Sequence, residues 1–71
     1  MGKKYELLLD KSIEFIGRKL FRIRALVDIE SVLVKAGEEG GYIEAEKNLD
    51  QSGDAWVSGD AWVYGNALIA S

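Results

Sequence analysis

Residues 3–34 carry short apolar runs that predict β-strands. Residues 5–9 read as one strand closed by a turn at Asp10-Lys11-Ser12. In the run 20–27, Ile23 and its neighbours of the same parity share one face, while Arg22 and Arg24 lie on the other. A helix over residues 20–35 is the alternative, but β-branched and aromatic residues favour a strand. The loop at residues 17–19, which begins with Gly17, predicts a hairpin, so we expect a hairpin-containing segment over residues 3–34.

From residue 53 onward the pattern repeats every six residues. The units are Gly-Asp-Ala-Trp-Val-Ser, Gly-Asp-Ala-Trp-Val-Tyr and Gly-Asn-Ala-Leu-Ile-Ala. A period of six suits a β-solenoid that turns a corner after each short straight segment, with glycine at the corner. Ile43 and Leu49 are also six apart, but Leu49 and Val57 are eight apart, so two residues must bulge at one corner. We therefore expect about one coil over residues 41–71, packed against the hairpin segment as one all-β domain over residues 1–71.

The parity of the repeat predicts which side chains face inwards. The inward set is aliphatic: Ala55, Val57, Ala61, Val63, Ala67 and Ile69. Both tryptophans then face outwards, unless the N-terminal strands cover them. An outward apolar patch is typical of a binding surface. The predicted oligomer or partner interface comprises Trp56, Trp62, Tyr64, Leu68 and Ile69, next to the coil's end at Ser71.

The repeat resembles the hexapeptide-repeat left-handed β-helix family. The resemblance rests on Val57-Ser58-Gly59-Asp60-Ala61-Trp62 and Val63-Tyr64-Gly65-Asn66-Ala67-Leu68, which depart from the family pattern at Ser58 and Tyr64. The order of Arg-Ile-Arg-Ala-Leu, Val-Lys-Ala-Gly-Glu-Glu-Gly-Gly-Tyr-Ile-Glu and the tandem Gly-Asp-Ala-Trp-Val units also looks like bacterial and phage-associated acyltransferase-like proteins of this family. The resemblance implies a left-handed β-helix. Members that transfer acyl groups typically use a histidine base, and this chain has no histidine.

The amino-acid composition limits how the chain can be stabilised and where it is located. The chain has 71 residues and no cysteine, so neither a disulfide nor a thiolate zinc site can stabilise so small a core, and oligomerisation is the stabiliser that remains. The net charge of −3 divides unevenly: residues 1–27 are basic and residues 28–71 are acidic. No apolar run is long enough for a membrane span, and a cytoplasmic location is the default expectation.

The charged residues form a second candidate partner surface. Its members are Arg18, Lys19, Arg22, Arg24, Glu38, Glu39, Glu44, Glu46, Asp54 and Asp60. Nucleic-acid binding through the arginines is disfavoured by the acidic chain, and pairing with the acidic half, including pairing between molecules, is the alternative. The carboxylates lack the spacing of a calcium loop. We predict no catalytic residue, metal or cofactor.

These observations predict a non-enzymatic, self-associating protein-binding module, most simply a homodimer. The resemblance to phage-associated proteins suggests a specific form, an inhibitor of a host defence protein whose acidic surface imitates a phosphate backbone. The alternatives are a purely structural oligomerisation module and a remnant of a hexapeptide acyltransferase.

Overall fold

A computed structural model describes residues 3–70 and shows an all-β chain built around one mixed sheet. The sheet order is β1-β2-β3-β4, in which β1 (Tyr5–Phe15), β2 (Arg18–Ala25) and β3 (Glu39–Ile43) are antiparallel and β4 (Trp62–Val63) runs parallel to β3. Two 3-10 turns, Glu30–Val32 and Glu46–Asn48, lie in the connections. The all-β prediction is confirmed. Within residues 3–70 no helix is long and apolar enough to cross a membrane, and Ser71 lies outside the described residues.

The predicted hairpin is present and joins β1 to β2. Phe15 pairs with Arg18, and the two residues between them have positive φ angles, 49° at Ile16 and 75° at Gly17. Positive φ at both loop residues is the type I′ pattern, which matches the right-handed twist of the paired strands. The turn is therefore tighter than the predicted loop at residues 17–19, and it places an isoleucine where glycine or asparagine is usual.

The turn predicted at residues 10–12 is wrong, because β1 continues through it as a bulge. Leu8 pairs with Arg22 and Ser12 with Phe21, so residues 9–11 are extra in β1. A bulge bends the strand and changes which side chains share a face. Beyond the bulge, the odd-numbered Ile13 and Phe15 therefore lie on the same side of the sheet as the even-numbered Leu8.

The core lies on the inner face of the sheet, under the chain that connects β3 to β4. Tyr5, Ile23, Ile43 and Leu49 are completely buried and form one cluster with the buried Ala55, Val57 and Val63. Of the predicted inward set, Ala55, Val57 and Val63 are therefore inside. Ala61 and Ala67 are exposed, and Ile69 is 37% exposed. A smaller cluster holds Ala25, Ile29 and Val34.

The repeat region stacks on the chain before it in parallel. Tyr42 pairs with Trp62, Ile43 with Val63 and Leu49 with Ile69, so paired residues are twenty apart. The φ angles of Gly53, Gly59 and Gly65 are 74°, 62° and 66°, as expected for corners every six residues. One repeat thus contains three hexads and two extra residues. The left-handed β-helix that the family resemblance implies stays a prediction.

The chain around the predicted insertion holds the N-terminal strand in place. The Gln51 side-chain oxygen accepts hydrogen bonds from the backbone N–H groups of Lys4 (2.7 Å) and Tyr5 (3.3 Å), and its amide donates to the Tyr5 carbonyl (3.3 Å). The buried Lys4 ammonium donates to the carbonyls of Ala55 (2.6 Å), Gly53 (3.3 Å) and Ser52 (3.4 Å). We call these contacts the clasp. The eight-residue spacing therefore marks where the repeat grips β1.

Two glycines of β3 allow the neighbouring chain to come close. A Cβ atom on Gly41 would lie 2.6 Å from Val57 Cγ1 and 2.7 Å from the Ala61 carbonyl oxygen. On Gly40 it would lie 2.4 Å from the Val57 carbonyl oxygen. Real Cβ atoms do not approach so closely, so this stretch of the sheet requires residues without side chains.

We expect Gly41→Ala to lower the free energy of unfolding by roughly 2–3 kcal/mol, because the methyl group forces the stacked chains apart. Gly37→Ala is the matched control, since Gly37 has a φ of 91° but open space around its Cα. Its left-handed backbone alone predicts a loss of about 1 kcal/mol. Urea unfolding followed by tryptophan fluorescence measures both, and equal losses would contradict the close approach.

The buried Tyr5 hydroxyl should make the free energy of unfolding fall at high pH. Burial first, then the nearby negative charges of Glu46 and Asp50, raise the pKa of the Tyr5 hydroxyl to about 12. The unfolded chain loses this proton near pH 10 while the folded chain keeps it, so the Tyr5 contribution is complete below about pH 10 and declines as the pH rises to about 12.

Tyr5→Phe should remove that decline. It also removes the hydrogen bond that the hydroxyl donates to the Leu49 carbonyl, which should lower stability at pH 7 by about 1–2 kcal/mol. Urea unfolding of both proteins between neutral and strongly alkaline pH measures the difference. Parallel stability curves for the two proteins would refute the assignment.

Candidate interaction surface

Four of the five predicted interface residues lie within residues 61–70, which comprise β4 at the edge of the sheet and the chain that follows it. We call residues 61–70 the edge segment, because β4 is the last strand in the sheet order. Its exposed large side chains are Trp62 (43%), Tyr64 (38%), Leu68 (58%) and Ile69 (37%). The segment contains no charged residue, although 30% of the chain is charged. It is therefore an exposed, uncharged and largely apolar strip.

The backbone of the edge segment presents an open strand edge. The carbonyls of Ala61 and Val63 accept hydrogen bonds from Tyr42 (2.9 Å) and Glu44 (3.1 Å) on the β3 side. Because successive carbonyls of a strand point to opposite sides, the Trp62 carbonyl points away from β3. Such an edge can accept a further strand.

Buried Asn48 holds the second half of the edge segment in position. Its side-chain amide donates to the carbonyls of Ala67 (2.8 Å) and Gly65 (3.2 Å), and its side-chain oxygen accepts from the Ala45 N–H (2.9 Å). A buried amide with all these partners specifies one arrangement of the chain. Sequence reasoning missed Asn48, because a lone asparagine in a polar stretch gives no sign of burial.

Trp56 does not lie on this surface. It is partly buried and packs against both core clusters. Its indole atoms lie 2.7 and 2.9 Å from where a Cβ of Gly40 would be, so the ring occupies space that only glycine leaves open. The prediction that both tryptophans face outwards therefore needs correction at residue 56, where buried residues of both clusters pack against the side chain.

Phe15 packs on the aromatic part of the edge segment. Its ring centroid lies 4.9 Å from that of Trp62, edge to face, and 5.5 Å from that of Tyr64. The Arg18 guanidinium lies 5.4 Å from the Tyr64 ring centroid. The N-terminal hairpin therefore covers part of Trp62, which was the alternative interpretation of the sequence. The sequence did not predict that Phe15 lies on this surface, because the bulge in β1 changes which face of the sheet the residues after it occupy.

The predicted charged surface consists largely of ion pairs within the chain. Arg18 pairs with Glu44 (2.9 Å), Arg22 with Asp60 (3.3 Å) and Glu39 (3.8 Å), Arg24 with Glu6, Lys11 with Glu39 (2.7 Å) and Lys3 with Glu46 (2.7 Å). The basic and acidic halves thus attract each other in one molecule, where the sequence also allowed pairing between molecules. Lys19, Glu38 and Asp54 are exposed.

The paired carboxylates are held in their ionised form. A hydrogen bond from the Gly65 N–H and the nearby Arg18 guanidinium lower the pKa of Glu44, and hydrogen bonds from Lys11 and Lys3 lower the pKa values of Glu39 and Glu46. These three groups therefore act as hydrogen-bond and ion-pair acceptors at neutral pH. Within residues 3–70 no group of three histidine, cysteine or acidic residues is arranged to hold a metal ion.

Arg22 of β2 is joined to β3 by several contacts. Its guanidinium lies 4.5 Å from the Tyr42 ring centroid and donates to the Gly40 carbonyl (2.9 Å) and the Tyr42 hydroxyl (2.7 Å). The Tyr42 hydrogen bond raises the pKa of Arg22. A planar guanidinium can lie on an aromatic ring while it donates hydrogen bonds in its own plane, whereas an ammonium has no flat face to stack.

We expect Arg22→Lys to lower the free energy of unfolding by about 1–2 kcal/mol, through loss of the stacked geometry and of one or two hydrogen bonds. Arg24→Lys is the control, since Arg24 makes an exposed pair with Glu6, and it should change stability by less than about 0.5 kcal/mol. Thermal and urea unfolding measure both. A loss at residue 24 as large as at residue 22 would contradict the role assigned to the Tyr42 stack.

Comparisons with known proteins add no assignment to this geometry. No protein-family model, curated protein or solved structure matches the chain. The resemblance to hexapeptide-repeat proteins accordingly stays a prediction from the repeat residues.

Proposed function

We propose that this protein is a non-enzymatic binding module that associates with a second copy of itself through the edge segment. The observation that carries the proposal is an open strand edge within ten uncharged residues, four of which expose large apolar side chains. Sheet proteins usually protect such edges with charges, proline, a bulge or a very short edge strand, and β4 has only the last of these, since it spans two residues. The edge segment has no charge and no proline, so pairing with another strand is favoured.

The other sheet edge explains why the partner is a second edge segment. β1 carries the bulge at residues 9–11, and Asp10 and Lys11 lie within it. These are protective features of an edge strand. The bulge and its charges would hinder pairing between β4 of one copy and β1 of the next. Two edge segments carry no charge, so they can pair without repulsion. A two-fold arrangement of this kind closes on itself as a dimer.

Within this proposal, residues 41–70 form one full turn of a left-handed β-solenoid and half of the next, at twenty residues a turn. The parallel pairs twenty residues apart and the three glycine corners support the solenoid, and the family resemblance supports its hand. A solenoid turn buries its strand edges only against a neighbouring turn. The second copy would supply that neighbour. Inhibition of another protein by such a dimer is a further form of the proposal and rests on the resemblance to phage-associated proteins.

Leu68→Lys should prevent self-association without unfolding the chain, because Leu68 is 58% exposed and the lysines of two copies would repel each other. Sedimentation velocity from about 1 to about 100 μM should show the wild type rising from the 7.8 kDa monomer towards twice that mass, and the variant remaining monomeric. Leu9→Lys is the control, since Leu9 is 72% exposed on β1, and it should behave as the wild type. A wild type that stays monomeric throughout would overturn the proposal.

A further inference from the structure

The loop between β2 and β3 exposes a second apolar surface, separate from the edge segment. We call residues 26–38 the connecting loop. Its exposed apolar side chains are Leu26 (42%), Val27 (46%), Val32 (43%) and Leu33 (85%). Buried Ile29 and Val34 anchor the loop and pair through two backbone hydrogen bonds of 2.7 and 3.1 Å. Val32 and Leu33, which lie between this pair, are thus displayed on a fixed turn.

Leu33 is held in a conformation that leucine adopts unfavourably. Its φ and ψ are 58° and 39°, in the left-handed region, and its N–H donates to the Glu30 carbonyl (3.1 Å). Glycine or asparagine suits this position at the end of a helical turn. A leucine here strains the backbone and exposes its side chain, and neither effect stabilises the fold. Local strain of this kind is concentrated at functional sites.

A cavity lies beside Leu33. It has a volume of about 320 Å³ and is lined by Glu30, Leu33, Val34 and Lys35. This volume is at the lower end of the range for small ligand pockets, about 300–1,000 Å³, and can receive a large side chain from a partner.

The connecting loop also carries an excess of negative charge, three acids against one lysine. Among residues 3–70, none of Asp28, Glu30 and Glu38 forms an ion pair, in contrast to Glu39, Glu44, Glu46 and Asp60. The Asp28 carboxylate accepts from the Ala36 N–H (2.8 Å) and that of Glu38 from the Lys35 N–H (3.3 Å). Lys35 is the one basic residue in the loop's sequence. A partner with positive charges would supply the missing counterparts.

We propose that the connecting loop docks a cationic, amphipathic segment of another protein. An apolar side chain of that segment enters the cavity beside Leu33, and its lysines or arginines face Asp28, Glu30 and Glu38. The charge excludes anionic lipid surfaces and nucleic acid as occupants, since the same carboxylates repel them. This site is independent of the edge segment and leaves it free for self-association.

The probe is a synthetic amphipathic helix of leucine and lysine carrying a fluorophore, and its matched counterpart has glutamate in place of lysine. Anisotropy titrations with the full chain should show binding of the cationic helix, weakening as salt is added, and no binding of the acidic one. Equal binding of both helices, or binding of neither, would overturn the proposal.

Leu33→Gly distinguishes a loss of docking from a loss of stability, because we expect it to weaken binding of the helix while it stabilises the fold. Glycine relieves the left-handed strain, so the unfolding midpoint should rise, while affinity for the cationic helix should fall about tenfold with the loss of the exposed side chain. Leu9→Gly is the control for removing an exposed leucine and should leave affinity unchanged. Unchanged affinity in Leu33→Gly would overturn the proposal.

Two further variants test the charges and the location. Glu30→Gln should weaken binding and reduce its salt dependence, whereas Glu14→Gln, an exposed acid on β1, should do neither. Leu68→Lys should still bind the helix. Loss of binding in Leu68→Lys would place the helix on the edge segment, and loss of self-association in Leu33→Gly would make a second copy the occupant of the loop. Either result would overturn the proposal.

Discussion

The clasp between the repeat and the first strand is the contact on which the rest of the fold depends. Gln51 completes the backbone hydrogen bonds of Tyr5, and the Lys4 ammonium gathers three carbonyls of the loop at residues 52–55. Removing either side chain would leave buried polar groups unpaired, which is more costly than losing an exposed contact. With β1 held there, Tyr5 closes the inner core, and the hairpin extends towards the edge segment.

The bulge in β1 determines how much of the edge segment stays exposed. Because residues 9–11 are extra, Phe15 reaches the outer face and packs on Trp62 and Tyr64. The aromatic end of the edge segment is therefore partly covered by its own chain. Leu68, further along, is the most exposed of its large side chains. A second copy would consequently gain most apolar contact around Leu68.

The protein presents two apolar surfaces of different chemistry. Ion pairs across the sheet join the basic N-terminal half to acids such as Glu44 and Asp60. What remains is the uncharged edge segment and the acidic, apolar connecting loop. In the proposed function the first meets a copy of the same chain, because identical surfaces do not repel when they carry no charge. The second is the proposed docking site for a cationic partner.

The sequence by itself predicted the features that depend on neighbouring residues. The hairpin follows from β-rich runs around Gly17, and the corners at Gly53, Gly59 and Gly65 follow from the period of six, because local backbone preferences set both. The position of the two-residue insertion between Leu49 and Val57 was also predicted, but its role in the clasp was not. Only the tertiary structure decided that Trp56 is covered, that Phe15 lies on Trp62 and that the charges pair within one molecule. Each of these depends on contacts between residues far apart in the chain, and parity along a strand carries no information about what packs on either face.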